Sequence, residues 1–144
     1  MTDKQLGEIL VKIAETCYKL SDGKLLKSLD GDALSYVGVK LASMKAAVVD
    51  LKTVALEEML RLEVELDAEK ARAFVRAKKD NSATAAADMK HADPEFIEAK
   101  RKYNEAKVQY ERLKSIVADA HDVIDAIKSR VIDLQTSRRD DSHR

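Results

Sequence analysis

The stretch FIEAKRKYNEAKVQYERLKSIVADAHDVIDAIKSRVIDL, residues 96–134, decides the fold. Alternating steps of three and four along it give Phe96, Ala99, Tyr103, Ala106, Tyr110, Leu113, Val117, Ala120, Ile124, Ile127, Val131 and Leu134. Each is apolar or aromatic, and most residues between them are charged. The pattern is that of one long helix with a narrow apolar seam, which a second helix must cover. Asp93-Pro94-Glu95 supplies its start: an acid at the N-cap, proline at the first helical position, and an acid near the positive end of the dipole. The helix is expected to run to about Thr136, with the tail after it frayed.

Upstream, residues 80–93 carry no clear period and read as a polar loop. Before them a second pattern spans 32–79. Leu34, Val37, Leu41, Met44, Val48 and Leu51 keep a seven-residue repeat, and Ala55, Met59, Leu62, Leu66 and Ala73 continue it after an extra step of four. Such a stutter locally relaxes a supercoil. The two helices, each roughly 45 residues or about 70 Å long at 1.5 Å per residue, predict an antiparallel hairpin over 32–144. Residues 1–31 form a smaller N-terminal helical part. Thr2 and Gln5 resemble a capping box there, and Leu6, Ile9, Leu10, Ile13, Cys17 and Leu20 share one face. Ser21-Asp22-Gly23 and Asp30-Gly31-Asp32 punctuate the chain around a short apolar piece, Leu25 to Leu29. The expected class is all-α. Ile116 and Val123 widen the seam beyond what two helices cover, so the hairpin is expected to assemble into a homo-oligomer.

The chain has 144 residues, one proline and four glycines, which leaves little to build sheet turns. With 26 basic and 26 acidic residues, net charge gives no reason to expect a polyanion partner. Cys17 is the single cysteine, which excludes an intrachain disulfide and suits a reducing cytoplasm. No signal region or membrane span is expected. Nor is an enzyme, a small-molecule substrate, a cofactor or a metal. There is no phosphate-binding glycine loop or zinc spacing, and His91, His121 and His143 are scattered. His91 reads as a solvated loop residue, His121 and Asp125 as a surface pair, and Cys17 as core.

The charges are unevenly placed. Met44 to Glu69 holds three bases against seven acids, whereas Lys70 to Lys107 holds ten bases against six acids. In a hairpin the basic runs meet at one end, giving a candidate phosphate-binding tip made of Lys70, Arg72, Arg76, Lys78, Lys79, Lys100, Arg101 and Lys102. Phe74 and Tyr103 lie close enough in sequence to stack on unpaired bases. The competing reading is that the charges only solvate helix faces and that the protein is a scaffolding coiled coil.

Two runs resemble a known family. Glu58-Met59-Leu60-Arg61-Leu62-Glu63, followed by Lys70-Ala71-Arg72, is similar to the middle of the UvsY-type recombination mediators of T-even-like phages. Asp125-Ala126-Ile127-Lys128-Ser129-Arg130 is similar to that family's carboxy-terminal helix. The resemblance spans roughly residues 33–135. It implies a ring-like homo-oligomer in the host cytoplasm that binds single-stranded DNA. Such a protein helps load a RecA-like recombinase onto DNA coated by single-strand-binding protein. It further implies that Lys70 and Arg72 contact phosphates and that the last helix assembles subunits, through Val117, Ile124, Ile127, Val131 and Leu134.

Overall fold

The computed structural model describes the backbone of residues 3–141 and the side chains of residues 7–138. Among the described residues five α-helices follow in order: α1 (Asp3–Ser21), α2 (Gly23–Ser28), α3 (Gly31–Lys78), α4 (Ala83–Met89) and α5 (Pro94–Asp141), with a 3₁₀ turn at Lys90–Ala92 before α5. No strand occurs among the described residues. The Thr2–Gln5 capping box and the Leu6 side chain lie outside the described residues.

Aspartates set three helix starts, the first being that of α2, where Asp22 accepts from the Lys24 amide at 3.3 Å. Asp30 accepts from the Ala33 amide at 2.7 Å, so α3 begins one residue before the expected boundary. Asp93 accepts from the amides of Glu95 and Phe96 at 3.0 and 3.1 Å, which fixes the start of α5. The expected loop at 80–93 is instead mostly helical. Ser82 caps α4 by accepting from the Ala85 amide at 3.3 Å, and the alanine-rich run behind it has high intrinsic helix propensity. A helix this short needs only one buried anchor, Ala86, so it leaves no periodic stripe to read. At the other end, α5 continues past Thr136 to Asp141, because no glycine or proline stops it.

Two compact units divide the chain: Met1–Leu51 with Leu113–Arg144, and Lys52–Arg112. The division cuts across both long helices. In the first unit, Leu34, Leu41 and Val48 of α3 are fully buried at seven-residue intervals. They share a core with Ile13, Cys17 and Leu20 of α1 and with Leu113, Ala120, Val123, Ile124 and Ile127 of α5. A Cβ added at Gly38 would meet Ile127 Cγ2 at 3.2 Å, and Lys45 Nζ lies 3.2 Å from His121 Nδ1. Advancing along α3 therefore retreats along α5, so the two helices run antiparallel in this unit. Buried Val123 and half-buried Ile116 show that much of the widened seam is covered within the chain.

The second unit has its core at Leu62, Ala73, Ala86 and Phe96. The stutter appears in the burial pattern: Ala55, Met59 and Leu62 turn inward while Glu58 is exposed. All twelve seam residues of α5 are buried or half-buried. No helix among the described residues is long and apolar enough to cross a membrane.

Candidate nucleic-acid interface

All eight basic residues singled out from the sequence fall in the second unit, on the last turns of α3, the segment after it and the first turns of α5. They differ in how far they are committed to acids of their own chain. Arg76 is the most engaged. Its guanidinium donates to Asp93 at 2.8 and 2.9 Å and to Glu69 at 2.5 Å, and pairs with Glu95 at 2.8 Å. Glu69 and Asp93 are largely buried, and Arg76 is half-buried between them. The clasp ties the C-terminal part of α3 to the start of α5.

The electrostatics follow from that geometry. Hydrogen bonding from Arg76, then from the Phe96 and Glu95 amides, holds the Asp93 carboxyl down at about 2. Arg76 and Arg72 likewise hold Glu69 below the usual carboxylate range. The Arg76 guanidinium is pushed further up, chiefly by Asp93 and Glu69. Glu69, Asp93 and Glu95 bring carboxylate oxygens within 4.8 Å of one another, a spacing that suits a divalent ion. Here the Arg76 guanidinium supplies the compensating charge.

Arg72 pairs with Glu69 at 3.0 Å, and Arg101 pairs with Glu98 at 2.7 Å and with Glu105. Lys70, Lys78, Lys79, Lys100 and Lys102 are exposed and hold no acid in an ion pair among the described residues. The lysines, rather than the arginines, are free to meet an outside anion.

Helix periodicity divides them further. Arg72 and Lys102 line a groove of about 380 Å³ whose wall also carries Glu65, Glu69, Glu95 and Glu98. Four carboxylates make that groove a poor place for a phosphate. At about 100° per residue, Lys70 and Lys100 fall on the opposite flank of the α3–α5 pair. Lys107 joins them there, its Nζ 5.9 Å from the Tyr103 ring centroid. Tyr103 and Phe74 are half-buried and Phe96 is buried, so the aromatic rings of this unit mainly serve packing. The same count puts exposed Glu63 and Asp67 of α3 beside Lys70, so an anion meeting this flank meets lysine ammonium groups, two carboxylates and little free ring surface.

Outside the basic tip, several sequence expectations are met. His121 Nε2 lies 3.5 Å from Asp125, both exposed. Cys17 is buried in the core, where desolvation and then nearby Asp119 push its thiol up. His91 is exposed but packs edge-on against Phe96, centroids 5.6 Å apart. Ile124 and Ile127 are buried inside their own chain, and Val117, Val131 and Leu134 are half-buried there. The Arg76 clasp escaped the sequence reading, although a signal existed. Glu69 and Arg76 stand at the seam positions of α3 on either side of Ala73, where apolar residues belong.

These features define an all-α protein of long paired helices with a lysine-bearing flank. No known protein family, curated protein or solved structure matches the chain.

Proposed function

We propose that this chain is a recombination mediator: it binds single-stranded DNA and helps load a RecA-like recombinase onto DNA coated by single-strand-binding protein. The observation that carries the reading is the flank bearing Lys70 and Lys100, whose ammonium groups are in no ion pair with an acid among the described residues and face away from the carboxylate-lined groove. The two family-like runs add the recombination context. Ammonium groups along a backbone neutralise phosphates and release counterions without reading sequence. A ring-like homo-oligomer presents several such flanks to one strand, which turns weak single contacts into useful affinity.

The neutral whole-chain charge and the committed arginines favour the second reading, a scaffolding coiled coil without nucleic-acid binding. Paired variants separate the two. Lys70→Gln with Lys100→Gln should weaken single-strand binding and reduce the log–log salt slope by about 1.4, from about 0.7 per neutralised phosphate contact. Lys102→Gln, in the acidic groove, should change little. Equal effects from both variants would remove the flank assignment.

A further inference from the structure

A second apolar stripe runs along α3, on the side away from its core. Leu60, Val64, Ala68, Ala71 and Val75 follow in steps of four, four, three and four, and all five are exposed. Leu60 is 48% exposed, Val64 72% and Val75 59%. At 100° per residue they occupy about 80° of the helix circumference, opposite Leu62, Leu66 and Ala73. Such a stripe on a solvent face of a charged helix is the seam of a helix pair that lacks its partner.

The charges beside the stripe say what the partner is. Glu57, Glu63, Glu65 and Asp67 border its first half, where the one base, Arg61, is already held by Glu58 and Glu65 at 2.7 and 3.3 Å. Lys70, Lys78 and Lys79 border its second half, together with Arg72, which is itself paired with Glu69 at 3.0 Å. Laid parallel, two copies would set acid against acid and base against base. Laid antiparallel, each acidic half faces the other copy's basic half, the arrangement that charged flanks of helix pairs favour. The apolar positions match in the same sense. With the two-fold axis near Ala68, Leu60 of one copy lies beside Val75 of the other, and Val64 beside Ala71. The small side chains at the centre let the backbones approach closely.

We propose that the outer face of α3, residues 57–79, is a self-complementary docking surface that pairs antiparallel with the same face of a second copy about a two-fold axis. This surface is distinct from the α5 seam, which is mostly covered within its own chain. Its cations are partly those of the DNA reading, so the two partners compete for Lys70 and Lys78. The test below contains no nucleic acid, and its outcome is therefore separate from that of the DNA titration.

Site-directed cross-linking distinguishes the orientation. In a Cys17→Ala background, with folding checked by circular dichroism, Ala68→Cys sits beside its own symmetry mate and should form a covalent dimer with a short thiol-reactive linker. Leu60→Cys alone should not, whereas a mixture of Leu60→Cys and Val75→Cys should give the mixed dimer. Val64→Asp should abolish cross-linking at Ala68→Cys without loss of helicity, because Val64 is too exposed to matter to the chain's own core. Self-cross-linking at Leu60→Cys would mean a parallel pair and overturn the proposal. Failure of Ala68→Cys to cross-link, or cross-linking unaffected by Val64→Asp, would overturn the surface itself.

Discussion

Replacing glycine by alanine inside a helix ordinarily stabilises it by about 0.8–1 kcal/mol, and two glycines of this chain should respond in opposite ways. At Gly7, in α1, an added Cβ meets nothing within 4 Å, so Gly7→Ala should gain close to that full amount. At Gly38 the added Cβ would sit 3.2 Å from Ile127 Cγ2, inside the 3.4–4 Å of ordinary contact. Ile127 is buried and β-branched, and in a helix its χ1 is essentially fixed, so the methyl cannot swing aside. Relief needs α3 and α5 to part by a few tenths of an ångström, disturbing fully buried Leu34 and Leu41 on either side. Overpacking of this kind costs about 1–3 kcal/mol. Set against the propensity gain, Gly38→Ala should be neutral to about 2 kcal/mol destabilising. A double-mutant cycle isolates the contact. In an Ile127→Ala background, which removes Cγ2, Gly38→Ala should return to about 1 kcal/mol of stabilisation. In Ile127→Val, which keeps that methyl, it should not. Urea denaturation at constant m reads all of these. If Gly38→Ala stabilises the unaltered protein as much as Gly7→Ala does, the close helix approach is wrong.

Three further outcomes follow from the same packing. Leu41→Ala empties a fully buried site in the first unit and should cost about 3–5 kcal/mol, seen as a lower urea midpoint; a cost under about 1 kcal/mol would contradict the described core. Ile127→Asp buries a charge between α3 and α5, so it should unfold the first unit as well as perturb any assembly; a fully helical variant with intact cooperativity would refute that placement. Asp93 has its carboxyl lowered from 3.8 to about 2, so its stabilising effect is complete above the ordinary aspartate range and drains away as pH falls through that window. Asp93→Asn keeps a capping side chain but loses the Arg76 ion pair, so its acid-side fall in Tm should be shallower there than that of the unaltered chain. Identical acid limbs would deny the clasp its role.

Much of the fold is legible in the sequence, for a physical reason. The α5 seam and the α3 repeat are long enough for periodicity to accumulate, and Asp93-Pro94 is a start signal with local chemistry behind it. Even the stutter near Ala55 survives in the burial pattern. Helix α4 was not legible, because a short alanine-rich helix anchored by Ala86 alone has no period to detect. The candidate site was legible in composition and not in commitment. Sequence places eight bases near one another, but only side-chain geometry shows the arginines held by acids and the lysines left over. Arg76 is the clearest case: its neighbours Lys78 and Lys79 share its charge, yet it serves the fold by binding Glu69 and Asp93. The outer stripe of α3 hid in plain sight, since Leu60, Val64 and Val75 look like core residues until the other face is seen to be the buried one.

The most direct measurement is a fluorescence-anisotropy titration of a labelled single-stranded oligonucleotide with the intact chain, at low and high salt, beside a duplex control. Salt-sensitive binding with preference for the single strand is the expected result. Absence of binding at low salt, with the protein folded and self-associated, would contradict it and leave a scaffolding coiled coil.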